Sequence, residues 1–445
     1  MIYLLYSMAL AALLLLTLPY WLIQGARKHK YRAGLGERLG RVPARVRAAE
    51  GPGPVWVHAV SVGEVLAVSG LIAEMRRRWP QRRVFVSTTT ATGQKLARER
   101  FGEESVFYLP LDFAFAIRSW LRVVQPELLV LAETEFWPNL LRLARKKGAR
   151  VAAVNARISD RSFPRYRRWR GLMRGVLANV DLFLAQSAED RRRLLEMGAP
   201  AARVQVAGNL KFDLPAPAAA GFVPELRARL ARAGAAPILV CGSTVEGEEP
   251  RLLAAFRAVL ARFPDALLIL APRHPERFDA AAEVVRSSRL ALWRRSRLEA
   301  EAPLRGGVLL LDSIGELAAV YSLATVAFVG GSLVPKGGHN ILEPAFFGVP
   351  IVVGPHTENF RDIVTRFRAA GAVSVVKDAD ALAEVLLALL DDRAQREALG
   401  GRAAEVFRAQ AGATARTLAA LEDLLGAAAA AEAVPAPANS SPERG

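Results

Sequence analysis

Cysteine is almost absent: the 445-residue chain has one, Cys241. A single thiol excludes an internal disulfide framework and any cysteine-cluster zinc site. It puts the bulk of the chain in a reducing compartment and makes Cys241 read as a small core hydrophobe. A P-loop, HExxH, GxSxG and paired Cys/His metal spacing are also missing. The one Asp-x-Asp, Asp378 to Asp380, opens a helical pattern and reads as an N-cap, so no obligatory divalent ion is expected. Lysine is scarce, with eight among sixty basic residues, and the matching excess of arginine and alanine partly reflects nucleotide composition.

What is present is the composition of a folded protein. Hydrophobic residues make up 52%, charged residues 23% and aromatics 7%, which rules out a largely disordered, collagen-like or fibrous chain. At ~150 residues per domain, the length predicts about two to three domains with ample core. The net charge of +17 would draw nucleic acid, anionic lipid or an acidic substrate, and does not choose among them.

The N-terminus does choose. Ile2 to Ile23 carry no formal charge, about the ~20 residues that cross a hydrocarbon layer, and Arg27, Lys28, His29, Lys30 and Arg32 follow at once. A secretory signal has the opposite charge order. The expectation is an N-terminal membrane-anchor helix with basic flank over 1–30. It implies a single pass through a membrane, the remainder on the cytoplasmic face, and Tyr3, Tyr20 and Trp21 near the interfaces. A monotopic or buried helix is the alternative.

Beyond residue 54, short apolar runs alternate with helical patterns. VWVHAV (Val55 to Val60), VFVST (Val84 to Thr88), ELLVLA (Glu127 to Ala132), RVAAVN (Arg150 to Asn155), DLFLAQ (Asp181 to Gln186) and RVQVAG (Arg203 to Gly208) read as strands. After a Pro/Ala linker at 214–221 come PILVCG (Pro237 to Gly242), ALLILAP (Ala266 to Pro272), GVLLLD (Gly307 to Asp312), TVAFVGG (Thr325 to Gly331) and PIVVG (Pro350 to Gly354). Apolar runs of this kind fit strands buried on both faces of a parallel sheet. The fold class is therefore α/β, with two doubly wound Rossmann-like domains at 31–213 and 222–425 and ligands at the carboxyl ends of their strands. The low-complexity end, 426–445, reads as a disordered tail.

One helical segment, Ser162 to Val180, places Phe163, Tyr166, Trp169, Met173 and Val176 on one face, ringed by Arg165, Arg167, Arg168, Arg170 and Arg174. Ser162 and Pro164 suit its N-cap and first turn. It is either a surface-docking helix for anionic lipid or an ordinary packed helix with a solvated arginine face.

Candidate chemistry gathers after the strands. Glu64 in SVGEV sits at a strand-to-helix junction, where it is either a general base or a first-turn dipole partner. Glu133 and Glu135 in ETEFWPN lie two apart at a strand end, and Lys211 in GNLKFD lies at the domain boundary. In the second half, Ser243 and Thr244 of GSTVEGEEP, with free backbone amides, suit a phosphate cradle. Pro272, Arg273 and His274 follow the next strand. GGSLVPKGGHNILEP brings four glycines, Asn340 as a cap and Glu343 as an acceptor of ribose hydroxyls.

Together, HAVSVGEV, STTTATGQ, LAETEFWPN, NARISDRS, GNLKFD, GSTVEGEE, PRHPERF, SIGEL and FVGGSLVPKGGHNILEPAFFGVPIVVGPHTENF resemble the 3-deoxy-D-manno-octulosonic acid (Kdo) transferases, GT-B glycosyltransferases of lipopolysaccharide inner-core synthesis. The resemblance runs from the N-terminus to about Leu425. It implies a GT-B fold with an interdomain cleft and inverting, metal-independent transfer of Kdo from CMP-Kdo to the lipid A precursor lipid IVA. No cofactor is implied beyond the donor substrate. The partners implied are CMP-Kdo, lipid IVA and anionic inner-membrane lipids, with no nucleic acid. By motif, Glu64 resembles the general base, Glu133 and Lys211 look like transition-state partners, and Glu135 is the neighbouring acid. Pro272, Arg273, His274, Ile314, Gly315, Glu316, Asn340, Ile341, Leu342 and Glu343 match CMP-binding segments. Val245 departs from the pattern, standing where GSTHEGEE would have His. A heptosyltransferase, a nucleotide-sugar 2-epimerase and a membrane-tethered binding protein for nucleic acid or anionic lipid are the competing readings.

Overall fold

The computed structural model describes residues 2–27, 34–46, 52–160, 162–213, 221–299 and 302–432. Apolar runs in the first half form β1 (Val55–His58), β2 (Val84–Thr88), β3 (Val106–Tyr108), β4 (Leu128–Ala132), β5 (Arg150–Ala156), β6 (Leu182–Ala185) and β7 (Val204–Val206). Those of the second half form β8 (Ile238–Thr244), β9 (Leu267–Pro272), β10 (Ala291–Arg294), β11 (Gly307–Leu310), β12 (Val326–Val329), β13 (Ile351–Val353) and β14 (Ser374–Val375). They pair in parallel into two seven-stranded sheets, ordered β3-β2-β1-β4-β5-β6-β7 and β10-β11-β9-β8-β12-β13-β14.

Each sheet is buried on both faces, which is why its strands lack polar alternation. In the first, Trp56, Leu129 and Leu131 enter one core and Val55, Val57, Leu128 and Val130 the other. In the second, Leu239 and Cys241 face one core and Val240 the opposite one, so Cys241 is the core hydrophobe expected. The strands absent from the sequence reading are β3, β10 and β14, short segments too brief to carry a pattern.

The chain divides into one unit of Met1–Asp213 with Ala411–Gly445 and a second of Leu214–Gln410. The expected boundary at 425 shifts because the helix Ala413–Glu432 buries Ala413, Leu418, Leu421 and Leu425 in the first unit's core. That helix also runs past 426, where a disordered tail was expected; residues beyond 432 and linker residues 214–220 lie outside the described residues.

The N-terminal expectation is corrected. The apolar run is helical over Ile2–Arg27, but among the described residues no helix is long and apolar enough to cross a membrane. One side of this helix is bonded to the first unit instead: Asn179 Nδ2 donates to the Tyr3 hydroxyl at 2.8 Å and Asn139 Nδ2 to Ser7 Oγ at 3.0 Å. A run of uncharged letters does not reveal such partners. The side chains of Tyr20 and Trp21 and residues 28–33 lie outside the described set.

The basic segment is also not one helix. It breaks at Trp169 into Phe163–Arg168 and Arg170–Leu177. Met173 and Val176 are buried, and Phe163 and Tyr166 pack against the core, with the guanidinium groups of Arg192 and Arg193 each over the Phe163 ring. Of the expected apolar face only Trp169, 59% exposed, points outward. Ser162 makes no side-chain cap.

At the start of the helix Ala413–Glu432, Asp213, the last residue before the crossing, accepts from Gly412 N at 2.6 Å and from Thr414 N. Asp213→Ala strips two amides of a carboxylate partner, an expected loss of about 1–3 kcal/mol. Amide exchange at Gly412 and Thr414 should rise accordingly, and unchanged protection there would reject this capping role.

Candidate functional site

In an open parallel sheet, ligands bind where strand order reverses, because the loops leaving neighbouring strands there diverge to opposite faces. The first sheet reverses between β1 and β4 and the second between β8 and β12. Glu64 follows β1 and Glu133 follows β4. Ser243 and Thr244 close β8, and the glycine-rich loop follows β12.

Glu64 is 9% exposed and lies in the first turn of the helix Val62–Arg78. Its Oε2 accepts from Val60 N at 2.8 Å and its Oε1 from the Ser61 hydroxyl at 3.1 Å, so the helix-start reading is part of the answer. The other part is electrostatic. Burial pushes its carboxyl up to about 7 against the pull of Val60 N–H, and the charges of Glu133 and Glu135 push the same way. The three acids therefore share one field.

Glu133 leaves β4 with φ 55°, a left-handed conformation rare outside glycine, while its N–H stays bonded to Val154 O at 2.9 Å. Lys211 Nζ lies 3.7 Å from Glu133 Oε1, with both side chains about a quarter exposed. Burial and the Glu133 charge raise the Glu135 carboxyl. Sequence reasoning missed Asn155, at the end of β5 with φ 53°. Its Oδ1 accepts from Leu210 N at 3.0 Å, fixing the turn that carries Lys211. Strained backbone at two adjoining strand ends is the mark of a site held by its surroundings.

In the second unit Ser243 repeats that feature with φ 57°. A Cβ on Gly330 would stand 2.5 Å from Ser243 O and 2.7 Å from Thr244 Cα, so only glycine lets the two loops close. Arg273 and His274 are exposed at the end of β9, behind buried Pro272. Their charges act on His339, a residue the sequence reading passed over; burial first, then Arg273 and His274, lower its imidazole to about 4. A histidine inside a glycine-rich loop at a strand end was the available signal. Arg273 also lies in the field of Glu343, whose carboxyl burial raises. Asn340 stands one residue before the cap position, which Ile341 occupies; its Oδ1 accepts from Leu342 N at 3.1 Å while Nδ2 donates to Glu343 Oε1 at 3.3 Å.

Four expectations change. In the expected phosphate cradle GSTVEGEEP, Val245 N is not free but donates to fully buried Glu248 at 3.1 Å, and the same carboxylate accepts from Gly331, Ser332 and Leu333 N of the glycine-rich loop at 2.7–2.9 Å. The Thr244 hydroxyl is buried and directed at Glu249. Ile341 and Leu342 are core side chains, each 1% exposed, which leaves only their backbone for a ligand. Glu316 is paired with Arg295 at 2.9 Å, whereas neighbouring Ile314 is 68% exposed and Gly315 is open. Asp378 caps Ala381 N at 2.9 Å, as read from sequence. Among the described residues no group of three or more His, Cys, Asp or Glu could hold a metal ion.

Glu248→Gln turns an amide NH2 toward main-chain donors. The expected loss is about 1–3 kcal/mol of stability, with faster hydrogen exchange at Gly331, Ser332 and Leu333. Parental exchange at those amides would contradict the assignment.

Residues 33–214 match the family model described as 3-Deoxy-D-manno-octulosonic-acid transferase (kdotransferase), and residues 293–406 that of Glycosyl transferases group 1. The chain is 42% identical over 402 residues to the 3-deoxy-D-manno-octulosonic acid transferase of Bordetella pertussis, and 36% identical over 393 residues to that of Haemophilus influenzae. Each alignment covers 87% of this chain and 91% of the relative. The solved UDP-GlcNAc 2-epimerase from Neisseria meningitidis matches with a TM-score of 0.53 over 84% of this chain and all of the epimerase, at 13% identity, a likeness of fold alone. With two Rossmann-like sheets, acids at one switch point and basic groups beside the other, the chain belongs to the 3-deoxy-D-manno-octulosonic acid transferases, glycosyltransferases of lipopolysaccharide synthesis.

Proposed function

We propose that this Kdo transferase moves Kdo from CMP-Kdo to a hydroxyl of lipid IVA with inversion, using Glu64 as general base and needing no metal. The observation that carries the reading is the acid cluster at the β1/β4 switch point, with the Glu64 carboxyl near 7. A base is most effective when its pKa lies close to the working pH, ionised often enough to accept a proton and basic enough to hold it.

In the step proposed, the acceptor oxygen attacks the ketosidic carbon of Kdo as that carbon's bond to the phosphate oxygen breaks. The hydroxyl proton passes to Glu64, and CMP leaves with the electron pair. The carbon passes through an oxocarbenium-like state, whose positive charge Glu133 and Glu135 stabilise. Lys211, 3.7 Å from Glu133, holds that carboxylate in place and offsets the repulsion within the acid cluster. On the donor side Arg273 and His274 meet the charge growing on the single phosphate. A departing monophosphate carries less total charge than a departing diphosphate, so cationic side chains suffice without magnesium. Asn340 and Glu343, already tied to each other, present polar atoms for the nucleoside. The lipid acceptor brings the first unit to a membrane surface, where its arginine-rich exterior suits anionic headgroups.

Two outcomes follow. Glu64→Gln keeps an oxygen for Val60 N and so should fold and bind CMP, yet transfer about 10²- to 10⁴-fold more slowly, the range of a lost general base. Near-normal turnover of purified enzyme would reject the role. The base works deprotonated, so kcat/KM should rise with pH through about 7. Glu135→Gln removes a like charge and should move that limb to lower pH; a limb fixed in place would show that the acids are not coupled.

A further inference from the structure

The loop that carries the acid pair runs from β4 directly into the helix Pro138–Lys146, with Asn139 four residues beyond Glu135. This helix begins without a local cap, since Trp137 occupies the cap position and makes no side-chain bond to its first turn. The missing acceptor arrives from 27 residues upstream. Asp112, 2% exposed, takes Asn139 N on Oδ2 at 2.9 Å and Leu140 N on Oδ1 at 2.8 Å. Asn139, 1% exposed, returns a bond from Nδ2 to Asp112 O at 2.6 Å.

Two residues of the N-terminal helix complete this arrangement. The Tyr6 hydroxyl hydrogen-bonds the Asp112 carboxylate. Ser7 Oγ accepts from Asn139 Nδ2 at 3.0 Å and donates to Tyr3 O at 2.8 Å. Both ends of the Asp112–Asn139 clamp are thus held by an element that precedes the α/β fold. Tyr3, one turn earlier, attaches the same helix elsewhere, with its ring under Arg142 at 4.5 Å and its hydroxyl bonded by Asn179.

We infer that Tyr6 and Ser7 are positioning residues for the reaction: by seating Asp112 and Asn139 they fix the start of the helix Pro138–Lys146 and with it the Glu133–Glu135 loop. The N-terminal helix is then part of the catalytic scaffold. The inference rests on the catalytic reading of the acid pair. Its energetic logic is ordinary: a loop fixed at one end by β4 and left loose at the other cannot hold two carboxylates to the tolerance a transition state demands.

The test uses the full-length chain in detergent with CMP-Kdo and lipid IVA. Tyr6→Phe combined with Ser7→Ala keeps the helix apolar and of equal length. The expected result is a fall in kcat of about ten- to a hundredfold, the scale of a misplaced catalytic group, with KM for CMP-Kdo within about twofold. Amide exchange at Asn139 and Leu140 should quicken, and Ser7→Thr, which keeps the hydroxyl, should retain most of the activity. Tyr3→Phe, which loosens the helix without touching the clamp, should leave kcat within about twofold. Parental kcat in the double variant, or an equal fall in Tyr3→Phe, would overturn the inference. Near-normal turnover in Glu133→Gln and Glu135→Gln would instead overturn the catalytic reading beneath it.

Discussion

The structure depends on buried carboxylates that accept main-chain N–H groups. Ionised groups withdrawn from water are costly unless hydrogen bonds replace the lost solvent, and unpaired amides at helix starts and loop turns carry a cost of their own. Here each need meets the other. Asp112 takes the first amides of the helix behind the acid pair, Asp213 those of the returning C-terminal helix, and Glu248 the glycine-rich loop of the second unit. Glu64 belongs to the same set through Val60 N. Burial raises the proton affinity of Asp112 and Glu248 as well, in spite of their amide partners. What sets Glu64 apart is that the charges of two further acids, Glu133 and Glu135, add to the effect of its burial.

The division of labour between the two sheets follows from their topology. Reversal of strand order at β1/β4 and at β8/β12 creates one crevice in each unit, and the chain furnishes them with opposite charge. Acids at the first suit a cationic transition state and a hydroxyl to be deprotonated. Arg273 and His274 at the second suit a departing anion, and their charges, with burial, keep neighbouring His339 neutral. Left-handed backbone at Glu133, Asn155 and Ser243 lies at these two crevices, where packing on both sides supports the strain.

Much of this was legible in the letters. Eleven apolar runs read as strands are strands, because burial on both faces imposes short, near-continuous hydrophobicity bounded by turn residues, unlike the much longer apolar run at the N-terminus, which is helical. Glu133 and Lys211 were placed at strand ends, and the structure brings them within 3.7 Å. What was hidden shares one cause. Asp112 and Glu248 act on backbone amides of distant segments, and an amide has no letter. Ile341 and Leu342 sit inside a striking-looking motif, yet their own hydrophobicity turns them into the core. The N-terminal run misled for the same reason: hydropathy counts what a helix could leave in lipid and is silent about Tyr3, Tyr6 and Ser7 finding partners on the protein.

The central claim is that the Glu64 carboxyl receives the acceptor's proton. The most direct measurement is a crystal structure of the enzyme holding a non-transferable CMP-Kdo analogue and lipid IVA. The account predicts the acceptor hydroxyl within ~2.6–3.2 Å of a Glu64 carboxylate oxygen, on the side facing Glu133 and Glu135. A hydroxyl bonded to another group, with Glu64 still closed on Val60 N and Ser61 and out of its reach, would contradict it.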